Sequence, residues 1–234
     1  MFEREHHRRI AALLAALDTA RLDACHCLFG GGTAMALRHG EYRESVDVDF
    51  LVSDGAGYRQ LRQLLTGAQG FQPLARTGQT LVHAREVRAD QYGIRTLLRL
   101  DDVPIKFEIV FEARIALEAP GTGDVLCGIH TLTPLDMATS KLLANADRWR
   151  DASALSRDLI DLAMMAPPRA LLARAIGKAE RPYGESINSA LAKAIQYLRD
   201  DPHRLEDRMR MMRMTLAPAL VWKRIKALVP RARQ

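Results

Sequence analysis

The feature that most constrains the fold is a glycine triplet followed closely by two aspartates one residue apart. Residues 27–53 read Cys-Leu-Phe-Gly-Gly-Gly-Thr-Ala-Met-Ala-Leu-Arg-His-Gly-Glu-Tyr-Arg-Glu-Ser-Val-Asp-Val-Asp-Phe-Leu-Val-Ser. An apolar run, a sharp turn, a short helix over 34–39 ended by Gly40, a loop and a strand over 46–52 are the elements this pattern predicts. Side chains alternate along a strand, so Asp47 and Asp49 share one face while Val46, Val48 and Phe50 take the other. Their Cβ atoms would lie roughly 6–7 Å apart, two residues of rise. Carboxylates held so repel unless one is protonated or a cation lies between them. A hard divalent ion with oxygen ligands, above all Mg²⁺, is the natural occupant. The alternative left open by these residues is a merely solvated face of an edge strand.

The glycines weigh toward a ligand. Gly30, Gly31 and Gly32 let the backbone turn and approach a bound group closely. A helix opening at Thr33 or Ala34 would offer free amides to a phosphate. No Gly-Lys-Ser/Thr follows, which excludes a P-loop, and no further glycine falls where a dinucleotide fingerprint needs one.

Length, charge and cysteine usage bound the rest. The 234 residues form one large domain or two small ones, and 48% hydrophobic content suffices for a core. No apolar run reaches the roughly 18–20 residues of a membrane span, and the acid-bearing amino terminus is unlike a signal peptide. Cys25, Cys27 and Cys127 lack zinc-site spacing and read as reduced thiols of a cytoplasmic protein. The histidines form no metal-ligand spacing either. The net charge of +6 is uneven: −2 over residues 1–130 and +8 over 131–234. An acidic half joined to a basic half suits a polyanionic substrate such as nucleic acid or nucleotide, though an arginine-rich helical domain would look the same.

Along the chain, periodicity predicts a helix over 2–17, a buried strand over 23–29 and a helix over 58–65. Strands follow over 79–87, 93–100 and 103–111, with a turn at Asp101-Asp102. Residues 125–129 form a short stretch able to close the sheet. From Thr133-Pro134, a cap and first-turn pair, the pattern is helical to the end. The domain boundary is placed near 131, giving domains 1–130 and 131–234. The segment 205–228 mixes Met209, Met211, Met212 and Met214 with Arg208, Arg210 and Arg213. It reads equally as core filler or as a surface for RNA or a protein partner.

The run Gly31-Gly32-Thr33, then Arg43-x-Ser45-x-Asp47-x-Asp49-Phe50, resembles the polymerase-β-like nucleotidyltransferase signature, in particular that of AbiEii/AbiGii-type toxin nucleotidyltransferases. Lys141-Leu142-x-Ala144 and Arg157-Asp158-x-x-Asp161-Leu162 are similar to that family's third and fourth motifs, so the resemblance spans about residues 28–162. It implies an α/β (α+β) fold, a mixed sheet flanked by helices, with an all-helical C-terminal domain and the active site in the cleft between. Asp47, Asp49 and a third carboxylate on a neighbouring strand would hold one or two Mg²⁺. Glu108, central in the 103–111 strand, is the candidate, also to receive the acceptor proton, with Glu112 in reserve and an exposed polar face of Lys106 and Glu108 as the alternative. Gly31, Gly32, Thr33, Arg43 and Ser45 would cradle the NTP. Lys141 would neutralise its triphosphate, Asp158 would orient it or help activate the nucleophile, and Asp161 would brace the helix pair. The implied reaction moves an NMP to a hydroxyl acceptor, possibly a tRNA 3′ end, in a toxin held by an antitoxin. A protein- or aminoglycoside-nucleotidylating enzyme and a catalytically idle nucleotide- or RNA-binding relative are the alternatives.

Overall fold

The structure, a computed structural model, describes residues 2–229. The chain divides into two compact units. One comprises the chain up to Arg38 together with Ser45–Thr133; the other comprises His39–Glu44 together with the chain from Pro134 onward.

The first unit contains α1 (Glu5–Ala15), α2 (Thr19–Ala24), β1 (Leu28–Gly30), α3 (Gly31–Arg38), β2 (Val48–Val52) and α4 (Gly55–Leu65). Six more strands follow: β3 (Val82–His83), β4 (Arg88–Ala89), β5 (Gly93–Leu100), β6 (Val103–Phe111), β7 (Val125–Leu126) and β8 (Ile129–His130). The main sheet runs β1-β2-β6-β5-β3, with β4 pairing β5. It is mixed, because β2 and β6 are parallel while β1–β2 and β5–β6 are antiparallel. One face is sealed by an aromatic file. Phe29 meets Phe50 at 5.5 Å between ring centroids, Phe50 stacks on Phe107 at 5.3 Å, and Phe107 meets Phe71 edge-on at 5.1 Å. All four rings are fully buried. Such pairs contribute about 0.5–1.5 kcal/mol each beyond the area they bury. They also fix the register: a slip of one residue would turn Asp49 and Glu108 into the core.

Several local expectations change. Residues 23–29 are not one strand. Asp18 accepts from the Arg21 amide and starts α2, and His26, at φ +50°, breaks the chain before three residues of β1. Cys25 and Cys27 are buried all the same, beside a helix end rather than along a strand. Of residues 79–87 only β3 pairs, and β7 and β8 form a separate hairpin instead of closing the main sheet. Cys127 and Gly128, both at positive φ, make its turn. Asp101 and Asp102, at φ +47° and +61°, form the two-residue turn expected between β5 and β6.

The second unit is helical: α5 (Pro134–Arg148), α6 (Arg157–Met165), α7 (Arg169–Tyr183), α8 (Ser186–Arg199), α9 (Arg204–Met211) and α10 (Pro218–Ala227). Met209 and Met212 are core residues, whereas Met211 is exposed. Among the described residues, no helix is long and apolar enough to cross a membrane.

Candidate active site

Gly31 opens α3 at φ +67°, a left-handed conformation that glycine alone takes without strain. A Cβ at this position would stand 2.4 Å from Asp49 Oδ2 and 2.7 Å from its Cβ. The missing side chain is therefore the space in which the Asp49 carboxylate lies, against the first turn of α3. That placement also puts a negative charge at the positive end of a helix. Replacing Gly31 with Ala adds about 1–2 kcal/mol of backbone strain and forces Asp49 to move. The expected result is a lower unfolding temperature and at least a tenfold loss of the activity that the resemblance implies; a variant with wild-type activity would show that Asp49 has no need of this position.

Asp49 is the centre of a three-strand register. It lies opposite Gly30 of β1 on one side and opposite Glu108 of β6 on the other. Asp47 sits just before β2, where Thr33 anchors it. The buried Thr33 hydroxyl donates to the Asp47 carbonyl and shares a second hydrogen bond with the Ser45 hydroxyl, whose Oγ lies 2.8 Å away. Thr33 and Ser45 thus lace α3 to the aspartate segment. The two amino-terminal histidines, which showed no spacing signal, reinforce the same segment. Buried His7 accepts from the Ser45 amide through Nε2 at 3.1 Å, and His6 Nε2 lies 3.0 Å from the Val46 carbonyl.

The Glu108 side chain is 14% exposed and both its oxygens are engaged. Arg95 Nε donates to Oε1 at 2.6 Å, and Lys106 Nζ lies 3.0 Å from Oε2. Burial pushes the Glu108 carboxyl upward, but its bonds to Lys106 and Arg95 outweigh burial and hold it below the usual range. Burial opposes the charge on Lys106, and its bond to Glu108 together with the nearby charges of Glu108, Asp47 and Asp49 overcomes that and keeps it protonated. Glu112 is paired with Arg114. Its carboxylate accepts from the backbone amide and the guanidinium of Arg114.

The other candidate residues lie in the second unit and form one buried ion cluster. Asp161, fully buried, is its hub. It accepts from Arg43 Nε at 2.7 Å and Nη2 at 2.9 Å, from the Tyr42 hydroxyl at 2.5 Å, and from Lys141 Nζ at 2.7 Å. Lys141 also reaches Asp158 at 3.2 Å, and Asp158 accepts two bonds from Arg148 at 2.7 and 3.0 Å. Burial alone would raise the Asp161 carboxyl; Arg43 and Lys141 reverse it and hold the group far below the carboxylate range. Asp158 is lowered likewise against burial, by Lys141 and Arg148. Tyr42 is pushed well up by burial and by the Asp161 charge. Arg43 and Lys141 therefore meet through Asp161 and Asp158 joins them through Lys141, while Gly31, Gly32, Thr33, Ser45, Asp47, Asp49 and Glu108 belong to the sheet unit.

A family profile described as "Nucleotidyl transferase AbiEii toxin, Type IV TA system" matches residues 12–233. The chain belongs to the AbiEii nucleotidyltransferase toxin family. It is accordingly a nucleotidyltransferase, and the match runs well past residue 162, through the basic helical tail that the motifs alone left unassigned. Two crystal structures from Helicobacter pylori share the fold. That of JHP933 is 15% identical over 98% of this chain and 94% of its own, with a TM-score of 0.50. That of a candidate nucleotidyltransferase is 15% identical over 95% and 93%, also with a TM-score of 0.50. No curated protein matches the chain.

An AbiEii nucleotidyltransferase implies a divalent metal. Among the described residues, no three His, Cys, Asp or Glu side chains are already gathered as a metal-binding group. The donor chemistry nevertheless fits a hard cation. Asp49 and Glu108 are carboxylates paired across β2 and β6, Asp47 lies two residues before Asp49 and just ahead of β2, and an ammonium, Lys106, already sits in their combined field.

Proposed function

We propose that this chain transfers a nucleoside monophosphate from an NTP to a hydroxyl of an acceptor, with Asp47, Asp49 and Glu108 holding one or two Mg²⁺ ions. The acceptor oxygen forms a bond to the α-phosphorus as its hydroxyl proton passes to solvent, the bond to the bridging oxygen breaks, and pyrophosphate leaves. The observation that carries this reading is the register Gly30–Asp49–Glu108, with Asp49 resting against the side-chain-free start of α3. Mg²⁺ would supply charge neutralisation of the phosphates and of the leaving pyrophosphate. The amides at Gly31 and Gly32 would meet the triphosphate, with Thr33 and Ser45 keeping the turn in place. Glu108 is held ionised by Arg95 and Lys106, which makes it a weak base; its part is ligation and charge. For Arg43, Lys141 and Asp158 we propose the task their contacts support, ordering α5, α6 and the segment His39–Glu44 through Asp161.

A tRNA 3′ end is the acceptor we favour, and an antitoxin the regulatory partner, on family membership and the basic second half of the chain. The deciding experiment incubates the protein and its Asp47→Asn variant with Mg²⁺, each α-labelled NTP, and total tRNA or an aminoglycoside. Label on tRNA that disappears with the variant supports the reading. Label on the protein itself or on the aminoglycoside transfers the assignment to another acceptor. NTP binding without any transfer overturns it in favour of an idle relative.

A further inference from the structure

The two cations on Glu108 are held in different ways. Arg95 is fixed at both ends of its guanidinium, by Glu108 Oε1 at 2.6 Å and by Asp90 Oδ2 at 3.0 Å. Asp90 is itself tied down by the amides of Tyr92 and Gly93. This half of the pair belongs to the scaffold. Among the described residues Lys106 makes one ion pair, to Oε2 at 3.0 Å, from a flexible stem whose side chain is 47% exposed. A lysine ammonium is a compact rotatable charge and gives up one partner without disturbing a fork of bonds, as an arginine would not. Its position is also particular. Val48 pairs with Phe107, so Lys106 falls one step beyond that pair, alongside Asp47, and two residues from Glu108 on the same face.

We propose that Lys106 is the resident counter-ion of the acidic face and competes with the divalent metal for Glu108 Oε2, so that it sets how tightly the metal binds. The inference rests on the reading of Asp47, Asp49 and Glu108 as the metal-holding carboxylates. Without metal, Lys106 offsets the mutual repulsion of three carboxylates and keeps them in register. With metal, a second cation on the same oxygen is unfavourable, and the lysine stem swings into solvent. Arg95 keeps Oε1 throughout, so Glu108 changes one partner and not its position.

The test is Mn²⁺ binding to the full chain without nucleotide, followed by electron paramagnetic resonance of the free ion. Lys106→Gln is expected to bind Mn²⁺ about five- to tenfold more tightly than wild type, and Lys106→Arg no more tightly. The gain should vanish in Lys106→Gln/Glu108→Gln, since the freed oxygen is then gone. Equal or weaker binding by Lys106→Gln overturns the proposal while leaving the metal site standing, provided that wild-type binding is lost in Asp49→Asn. Mn²⁺ binding that is absent from the wild type, or that survives Asp47→Asn and Asp49→Asn, instead overturns the metal-site reading and the proposal with it.

Discussion

Asp49→Asn is expected to lower nucleotidyl transfer by about 10³-fold or more, roughly 4 kcal/mol of transition-state stabilisation at 1.36 kcal/mol per decade. Asparagine has nearly the same shape, so it fits the space above Gly31 that the carboxylate occupies. What is lost is the charge that neutralises a cation next to the phosphates, and no neighbouring group can replace it. Asp47 and Glu108 are already the other proposed holders of that cation, and Glu112 is paired with Arg114. The fold should be indifferent, because removing one of two like charges relieves repulsion as often as it removes support. The prediction is therefore a split: kcat/KM falls steeply and the unfolding temperature holds within about 3 °C, a shift worth less than about 1 kcal/mol for a unit of this size. A variant with more than a tenth of wild-type activity would remove Asp49 from the reaction. A variant that loses activity and stability together would make it a structural residue.

How far the sequence carried depends on which interactions set each feature. Strands β5 and β6 were legible to the residue, since period-two alternation and the Asp101-Asp102 turn are both local signals. That turn in fact settles more than the strands. A two-residue connection sets Leu100 opposite Val103, and counting outward from there puts Arg95 opposite Glu108. The partner of Glu108 was thus available from the sequence, hidden only because charge on a strand face reads first as solvation. The 23–29 segment failed for the opposite reason. Its buried Cys25, Cys27 and Phe29 look like strand residues, and the Asp18 cap and left-handed His26 that give its start to α2 and leave only its end in β1 are single-residue signals. The cluster around Asp161 could not be read at all. Arg43 and Asp161 are 118 residues apart, and only the tertiary fold brings them together. The motifs flagged the right residue types there without showing that they bind one another.

Asp161→Asn is expected to cost about 3–5 kcal/mol, the loss typical when one partner of a buried ion pair is removed and its counter-charge remains. Here two counter-charges remain. Arg43 and Lys141 are both buried, and an amide cannot accept the four bonds from three residues that the carboxylate now receives. Because total stability is generally about 5–15 kcal/mol, the variant should melt far lower and lose amide protection in α5 and α6. The segment His39–Glu44 should be released with them, since Tyr42 and Arg43 are attached to the helices through this carboxylate. A pH dependence follows from the same contacts. Asp158 and Asp161 have folded values below the roughly 3.9 of an unfolded aspartate, so their stabilisation is complete above that value. It is lost as pH falls through the lower folded values. Wild type should therefore lose stability steeply below about pH 4, and Asp161→Asn, already without this contribution, should show a shallower slope there. Urea unfolding from pH 7 to pH 3 measures both effects, and a double-mutant cycle with Arg43→Gln isolates the pair. Equal acid slopes in wild type and variant, or coupling between positions 43 and 161 below about 0.5 kcal/mol, would mean the cluster is held by something other than these charges.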